Sequence, residues 1–353
     1  MEPRKRLDAR CMIQLAVVAG LASAASGAFA APSADAVEAQ AHETWKEAVT
    51  HTPAPARGCF HAVYPSTHWV QGQCFETPRR YMAPPASKFD VTSGNWQVVG
   101  NGNDYVVKTP GNMSQVVGTF PKVTGVVWER GVGNVDFGNG GILGPNEYAL
   151  QINSGYNLPT SACHGHSGCA IWQQYVYAPD YDVHGTAAVF IEYWLIGWGS
   201  SSCPSGWGSY PFDGGSCVIN SNYTAAPDEP ITQLGNEKLS ASAVPGGNDT
   251  AVFTDGSTAY SFSASDSVLA LGTAWNESEF NVVGNAGGSR ADFNPGASVT
   301  VKVAVTDGYT KAPKCLVGAG TTGETNNLTL GSCSAAGGSQ PYIEFTESNK
   351  IRF

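Results

Sequence analysis

Residues 170–178 read Ala-Ile-Trp-Gln-Gln-Tyr-Val-Tyr-Ala, and residues 188–196 read Ala-Val-Phe-Ile-Glu-Tyr-Trp-Leu-Ile. Both runs are rich in aromatic and β-branched residues, and their connection contains proline, aspartate and glycine, a pattern typical of paired strands. Because side chains alternate between the two faces of a strand, Gln173 shares a face with two tyrosines, whereas Glu192 shares one with Trp194. Both strands are therefore predicted to place a polar group among large rings, where a carboxylate without a partner is costly.

Strand-like runs recur from about residue 95 onward. The 42 glycines and the charged fraction of 14% agree with a chain of many short strands and turns. This spacing predicts an all-β fold, an antiparallel two-sheet β-sandwich of the jelly-roll or concanavalin-like type. A stretch of roughly 250 residues can form one large two-sheet domain. No internal repeat divides the run, and we predict a single β-sandwich domain over residues 95–353.

The N-terminus has the pattern of an export signal. Basic residues near Met1 are followed by an apolar run and then by Ala28-Phe29-Ala30, which predicts a secretory signal peptide over residues 1–30. No other stretch approaches the ~20 uncharged apolar residues of a membrane span. We therefore expect a soluble protein without membrane contact, secreted to the extracellular space or the periplasm.

Residues 31–94 differ from the rest and contain the one helix-like stretch, from Ala36 to Val49. Their position before the sandwich suggests a small N-terminal prosegment, and the alternative is an extension that stays attached. Basic residues in the connection from Thr77 to Lys88 could hold this segment on an acidic domain at neutral pH. The formal net charge of −10 argues against nucleic acid as a partner and suits a protein that works in acid.

The cysteines form close sequential couples. Of nine cysteines, Cys11 lies in the predicted signal peptide. An even number then remains in an exported chain, which predicts disulfides. The predicted pairs are Cys59 with Cys74, Cys163 with Cys169, Cys203 with Cys217, and Cys315 with Cys333. A metal site using the histidines between Cys163 and Cys169 is the alternative, but oxidised cysteines cannot ligate. We predict no metal and no cofactor.

The order Ala170-Ile171-Trp172-Gln173, a hairpin, and then Phe190-Ile191-Glu192-Tyr193-Trp194 resembles the core of the glutamic peptidases, the eqolisins and the neprosin-type enzymes. The resemblance implies a catalytic role for Gln173 and places Glu192 in the same cleft. In that mechanism a Glu activates water, while a Gln amide holds the water and stabilises the oxyanion.

A second block, from Ser278 to Phe293, resembles the eqolisin strand that carries the catalytic Glu. The place of that Glu is Val283 here. The base is therefore predicted to be Glu192 or Glu279, and the alternative is that the protein is inactive.

Polar residues also occupy every second position on two further predicted strands, opposite an apolar face. They are expected to form a substrate groove with nearby tryptophans, although an ordinary solvated face has the same pattern. The predicted substrate-binding residues are Gln151, Asn153, Trp172, Trp194 and Asn281.

These observations predict a secreted, monomeric, acid-acting endopeptidase, made as a precursor, with a polypeptide substrate. One alternative is a non-catalytic carbohydrate-binding module that stacks sugar rings on its tryptophans. The other is a glycoside hydrolase that uses Glu192 and Glu279, which requires two carboxyl groups about 5–10 Å apart. Gln173 and Glu192 side by side in one groove would favour the peptidase, whereas a Gln173 side chain that points into the core between the sheets would contradict the family resemblance.

Overall fold

The structure is a computed structural model that describes residues 33–85, 98–100, 102–135, 140–156, 158–199, 202–210 and 215–350. The predicted signal peptide lies outside these residues. The chain divides into two compact units, residues 1–39 and residues 40–353. The described part of the first unit belongs to the beginning of helix α1 (Ala34–Thr50). All strands among the described residues lie in the second unit.

Short runs rich in valine, isoleucine, threonine and aromatic residues form these strands, as their preference for a pleated, half-buried surface predicts. In chain order the strands are β1 (Gly58–Val63), β2 (Val70–Gln71), β3 (Cys74–Phe75), β4 (Val98–Gly100), β5 (Tyr105–Lys108), β6 (Gln115–Thr124), β7 (Glu129–Gly133), β8 (Gly141–Pro145), β9 (Tyr148–Ser154), β10 (Ala170–Ala178), β11 (Thr186–Ile196), β12 (Gly208–Ser209), β13 (Cys217–Asn220), β14 (Tyr223–Pro227), β15 (Lys238–Ala243), β16 (Asn248–Asp255), β17 (Thr258–Ser265), β18 (Glu277–Gly284), β19 (Arg290–Phe293), β20 (Ser298–Thr306), β21 (Lys314–Val317), β22 (Thr325–Ala336) and β23 (Tyr342–Ser348).

The strands form two sheets, and the predicted two-sheet β-sandwich is confirmed. The larger sheet has the order β2-β1-β17-β16-β15-β6-β20-β23-β22-β19-β7-β8, with β4 paired to β22. The smaller sheet has the order β12-β13-β11-β10-β9-β18-β5-β21, with β14 joining β11 to β3. Pairing is antiparallel throughout these ladders except between β19 and β22, which run parallel. Within the described residues, no helix is long and apolar enough to cross a membrane.

The four predicted disulfides are confirmed. Two of them connect the sheets. Cys59 on β1 of the larger sheet bonds Cys74 on β3 of the smaller sheet. Cys315 on β21 of the smaller sheet bonds Cys333 on β22 of the larger sheet. The sandwich is therefore closed covalently at two places.

The segment that precedes residue 95 contributes strands to the sandwich itself. Strand β1 pairs antiparallel with β17, and β3 pairs with β14. The apolar side chains of Trp45 and Val49 on α1 are buried with Ala62, Val252 and Ala259. The domain boundary at residue 94 stays a prediction, but residues 58–75 belong to both sheets.

The core between the sheets is built from large aromatic rings. The Phe280 ring, on β18, lies on the backbone of β6 at Gly118 and also contacts Phe120, with ring centroids 5.0 Å apart. Tyr177 on β10 stacks on Phe253 of β16 at 3.7 Å between centroids. The face of the smaller sheet that carries Phe280 and Tyr177 therefore packs against the larger sheet. The opposite face is available for a site.

Replacing Gly118 by alanine should destabilise the protein by about 1–3 kcal/mol, the usual cost of overpacking a core. The added Cβ would overlap the buried Phe280 ring. Denaturant unfolding measures the loss. Gly235→Ala is the matched control, because its Cβ would meet only Val123 at 3.6 Å. Equal stability of the two variants would contradict this description of the core.

Candidate active site

Four polar side chains stand side by side on the face of the smaller sheet that is turned away from Phe280. Gln174 on β10 lies directly opposite Glu192 on β11 and Asn153 on β9. Asn153 in turn lies opposite Glu279 on β18. All four side chains are buried. We call these residues the polar row, and it is the centre of the candidate site.

Gln173 is not part of this row. It pairs with Tyr193, and its side chain enters the core between the sheets. Its Nε2 donates to the Tyr175 hydroxyl at 2.9 Å and to Asp249 Oδ2 on β16 at 2.8 Å. The prediction that Gln173 and Glu192 line one cleft is therefore wrong. Gln173 lies opposite Tyr193, the neighbour of Glu192 on β11, and neighbouring residues of a strand face opposite ways. This placement in the core contradicts the catalytic role for Gln173 that the resemblance implies. The adjacent Gln174, which the sequence analysis did not select, faces Glu192.

The indole of Trp194 joins Gln174 and Glu192. Its Nε1 lies 2.8 Å from Glu192 Oε1 and 3.2 Å from Gln174 Oε1, and it donates to both. Gln174 Nε2 donates to Gln151 Oε1 at 3.2 Å, and Asn153 Nδ2 donates to the same oxygen at 3.2 Å. The predicted residues Gln151, Asn153 and Trp194 are thus brought together with Glu192 in one network.

Trp172 and Trp194 are both fully buried. Trp172 Nε1 donates to Thr321 Oγ1 at 3.0 Å, and the two indole rings lie 5.6 Å apart. They support the polar groups around them. They do not form the exposed platform that the carbohydrate-binding alternative requires.

Glu279 holds a loop in place. Its Oε1 accepts hydrogen bonds from Asn153 Nδ2, Thr321 Oγ1 and the Thr322 backbone N–H at 2.7, 2.9 and 3.0 Å. Its Oε2 accepts one from the Thr321 backbone N–H at 2.8 Å. Both oxygens are therefore occupied by the loop between β21 and β22 and by the neighbouring strand. All of these partners belong to the sheet and to its own loop, so Glu279 has a structural role in fixing that loop.

Asn281 connects to a second group of acids. Its Nδ2 donates to Asp104 Oδ2 at 3.0 Å and to Glu347 Oε2 at 3.2 Å. Burial raises the pKa of Asp104 well above its ordinary value, and the charges of Glu279 and Glu347 raise it further. Burial also raises the pKa of Glu347 to about 8, although hydrogen bonds from Asn281 and Asn326 oppose this.

A second carboxyl, that of Glu324, lies beside Glu192. Its Oε1 accepts from the backbone N–H groups of Ala83 and Gly288, both at 2.8 Å, and its Oε2 accepts from the Thr322 hydroxyl. Glu324 follows an irregular polar loop without strand periodicity, so the sequence carried no signal that could select it.

Burial acts on both of these carboxyls. It raises the pKa of Glu324 above its ordinary value. It raises the pKa of Glu192 well above its ordinary value, opposed by the Trp194 hydrogen bond and reinforced by the negative charge of Glu324. The two acids therefore interact electrostatically, and the doubly ionised state is disfavoured.

Residues 78–85, which we call the strap, lie across these carboxyls. The Met82 N–H donates to Glu192 Oε2 at 3.2 Å, and the Ala83 N–H donates to Glu324. Ala83 O accepts from the Gly323 N–H at 2.6 Å, and Tyr81 O accepts from the Gly287 N–H at 2.9 Å. The site therefore binds a polypeptide backbone through alternating donors and acceptors.

The protein should be more stable in acid than at neutral pH. A carboxyl such as Glu347, whose pKa rises from 4.5 to about 8 on folding, binds a proton in the folded state that the unfolded state releases. Across that window the free energy of unfolding should fall by about 1.4 kcal/mol per pH unit for each such group. Urea unfolding at pH 5, 6, 7 and 8 measures the slope.

Glu347→Gln should make that slope shallower by about 1.4 kcal/mol per pH unit, the contribution of one titrating group. This change in slope is expected whatever the effect of the substitution on absolute stability. Glu344→Gln on the same strand is the control, because Glu344 is only partly buried. A slope that is the same in wild type and Glu347→Gln would contradict the raised pKa.

Gly323→Ala should loosen the strap. A Cβ at this position would lie 2.5 Å from Pro84 O and 3.0 Å from Ala83 O, so the strap must shift. Hydrogen exchange of a peptide covering residues 78–85 should accelerate roughly tenfold or more, as a steric penalty of ~1–3 kcal/mol implies. Gly235→Ala again serves as the control. Unchanged protection of the strap in Gly323→Ala would show that Gly323 does not set its position.

No known protein-family model matches this sequence, and comparison with curated proteins finds no match. Among solved structures, a scytalido-glutamic peptidase with a peptide-based transition state analog is similar, with 13% identity, a TM-score of 0.31, and coverage of 73% of this chain and 98% of that chain. A second structure of scytalido-glutamic peptidase with a transition state analog inhibitor gives 11% identity and a TM-score of 0.29 over the same shares. SCP-B, a member of the eqolisin family of peptidases in a complex with the tripeptide Ala-Ile-His, gives 12% identity and 0.29, again over 73% and 98%. The similarity is distant.

Proposed function

We propose that this protein is an acid-acting peptide hydrolase and that Glu192 and Glu324 are its catalytic carboxyl pair. The observation that supports the proposal most is the position of these two carboxyls on one bound backbone. They accept the N–H groups of the consecutive residues Met82 and Ala83. A groove that binds a polypeptide in this way has its acids at a peptide bond.

The chemistry needs one proton removed from water and one delivered to the departing nitrogen. Glu324 Oε1 lies 2.8 Å from the nitrogen of the Met82–Ala83 peptide bond. A substrate bound in the same register would therefore place its departing nitrogen against Glu324, with Glu192 one residue away. The two carboxyls together would supply the acid and the base. Two close acids that do not both ionise provide one protonated and one ionised group at the same pH.

Side-chain amides can stabilise the oxyanion of the tetrahedral intermediate by donating hydrogen bonds to it. Gln174 stands opposite Glu192 on the adjacent strand. Gln151 Nε2 is buried and has no hydrogen-bond partner among the described residues. A donor of this kind, fixed before the reaction, stabilises an oxyanion most effectively in a site without bulk water. We assign the amide function to Gln174, supported by Gln151.

We infer that the chain is made as an exported precursor and that the strap closes the groove. Arg80 fastens one end, because its Nη2 donates to Asn285 O at 2.5 Å and lies 3.5 Å from Glu147 Oε2. Amide hydrogen bonds to ionised carboxylates are stronger than those to neutral acids. Protonation in acid of the member of the pair that is still ionised would therefore weaken the hold on the strap.

Acid-treated protein should degrade a denatured protein substrate between about pH 2.5 and 7. Glu192→Gln and Glu324→Gln should each lower kcat by about 10²-fold or more, the usual contribution of a general acid or base. Glu344→Gln should leave kcat unchanged. Rates are normalised to the folded fraction of each variant. Full activity in either the Glu192→Gln or the Glu324→Gln protein, or no cleavage by folded, matured wild type, would refute the proposal.

The two adjacent glutamines provide a further comparison in the same assay. Gln174→Ala should lower kcat, because it removes the amide that faces Glu192. Gln173→Ala should lower the melting temperature and spare kcat, because Gln173 donates to Asp249 in the core. The reverse result would support the assignment that the sequence resemblance implies.

A further inference from the structure

The largest fully buried side chain of the strap is that of Met82, which has no exposed surface. It belongs to an apolar cluster on the same face of the smaller sheet as the polar row. Members of this cluster include Val176, Ala178, Ala188, Phe190 and Tyr181. The strap thus fills a pocket with a side chain as well as binding through its backbone.

The register of β10 and β11 explains this pocket. Along this face the pair Gln174–Glu192 is followed by the pair Val176–Phe190 and then by the pair Ala178–Ala188. The face therefore changes from carboxyl and amide to larger apolar groups and then to two methyl groups. The small side chains of Ala178 and Ala188 leave more room on this part of the face than the Phe190 ring beside them.

The lining is apolar where the side chain lies. The Tyr181 hydroxyl is bound to Arg80 O, and the Tyr223 hydroxyl donates to Asp182 Oδ2 at 2.9 Å. Tyr223 thus has a partner outside the strap, and so does Tyr181, whose hydroxyl also accepts from Asn220 Nδ2 at 3.2 Å. A charged group placed there would lose its hydration without compensation.

We propose that this pocket is the main specificity subsite of the groove and that it selects polypeptides with an apolar side chain of methionine or leucine size. The inference rests on the proposed peptide hydrolase function for its biological meaning. The strap is the chain's own occupant of the subsite, and a substrate replaces Met82 with a residue of the same character.

The test uses the full-length chain with Met82→Asp, which should expel the strap from the pocket. Hydrogen exchange of residues 78–85 verifies the expulsion, and Met82→Gly is the second variant if the first does not fold. The probe is the synthetic peptide Pro-Arg-Arg-Tyr-Met-Ala-Pro-Pro, compared with versions that carry Leu, Gly or Asp in place of Met. Binding is measured by calorimetry at pH 7.

The Leu peptide should bind within a few-fold of the Met peptide. The Gly peptide should bind about 10- to 100-fold more weakly, as expected for the loss of a buried methionine side chain, and the Asp peptide should not bind measurably. In a protein that also carries Ala188→Leu, which fills the far end of the pocket, the Met peptide should weaken tenfold or more while the Gly peptide is unaffected. Equal affinity of the Met and Gly peptides would overturn the subsite.

Hydrolysis of the same peptides is scored separately. Discrimination between the Met and Gly peptides without any cleavage would uphold the subsite and refute the peptide hydrolase. Cleavage of both peptides at equal rates and with equal affinity would refute the subsite and uphold the peptide hydrolase.

Discussion

A buried carboxyl group needs polar partners, and this requirement organises one whole face of the smaller sheet. Glu279 obtains its partners from the loop between β21 and β22, which it fixes over the sheet. Glu324, at the end of that loop, obtains them from the strap and from Gly288. Glu192 obtains them from Trp194 and Met82. Segments far apart in the chain therefore converge because each acid must be satisfied.

The same requirement explains why the molecule suits acid. Desolvation favours the neutral form of every acid in these clusters, and neighbouring negative charges reinforce the effect. Glu129, on a different part of the larger sheet, has its pKa raised to about 9 by burial together with the charges of Glu147 and Asp292. A chain that buries this many carboxyls is more stable in a medium in which they carry protons, and burial acts in the same way on Glu192 and Glu324.

Much of the fold followed from local patterns. Period-two alternation identified β9, β10, β11 and β18. The close spacing of the cysteines identified the disulfides. Glu192 was identified as a charged residue among aromatic residues. The prediction that Gln173 shares a cleft with Glu192 failed because it rested on a short motif, and a motif match does not determine which face of the strand a side chain occupies. Glu324 could not be found because its partner Ala83 lies 241 positions away. Only tertiary structure brings them together.

The disulfide between Cys59 and Cys74 has a consequence for any processed form of the protein. Each of the four disulfides joins cysteines on the same side of the strap's C-terminal end at Pro85. A cut between the strap and β4 would therefore produce two polypeptides with no covalent link between them. The N-terminal piece would still contribute β1 and β3 to the sheets, held only by hydrogen bonds and packing. The processed molecule would be a heterodimer made from one gene product, separable by denaturant without any reducing agent.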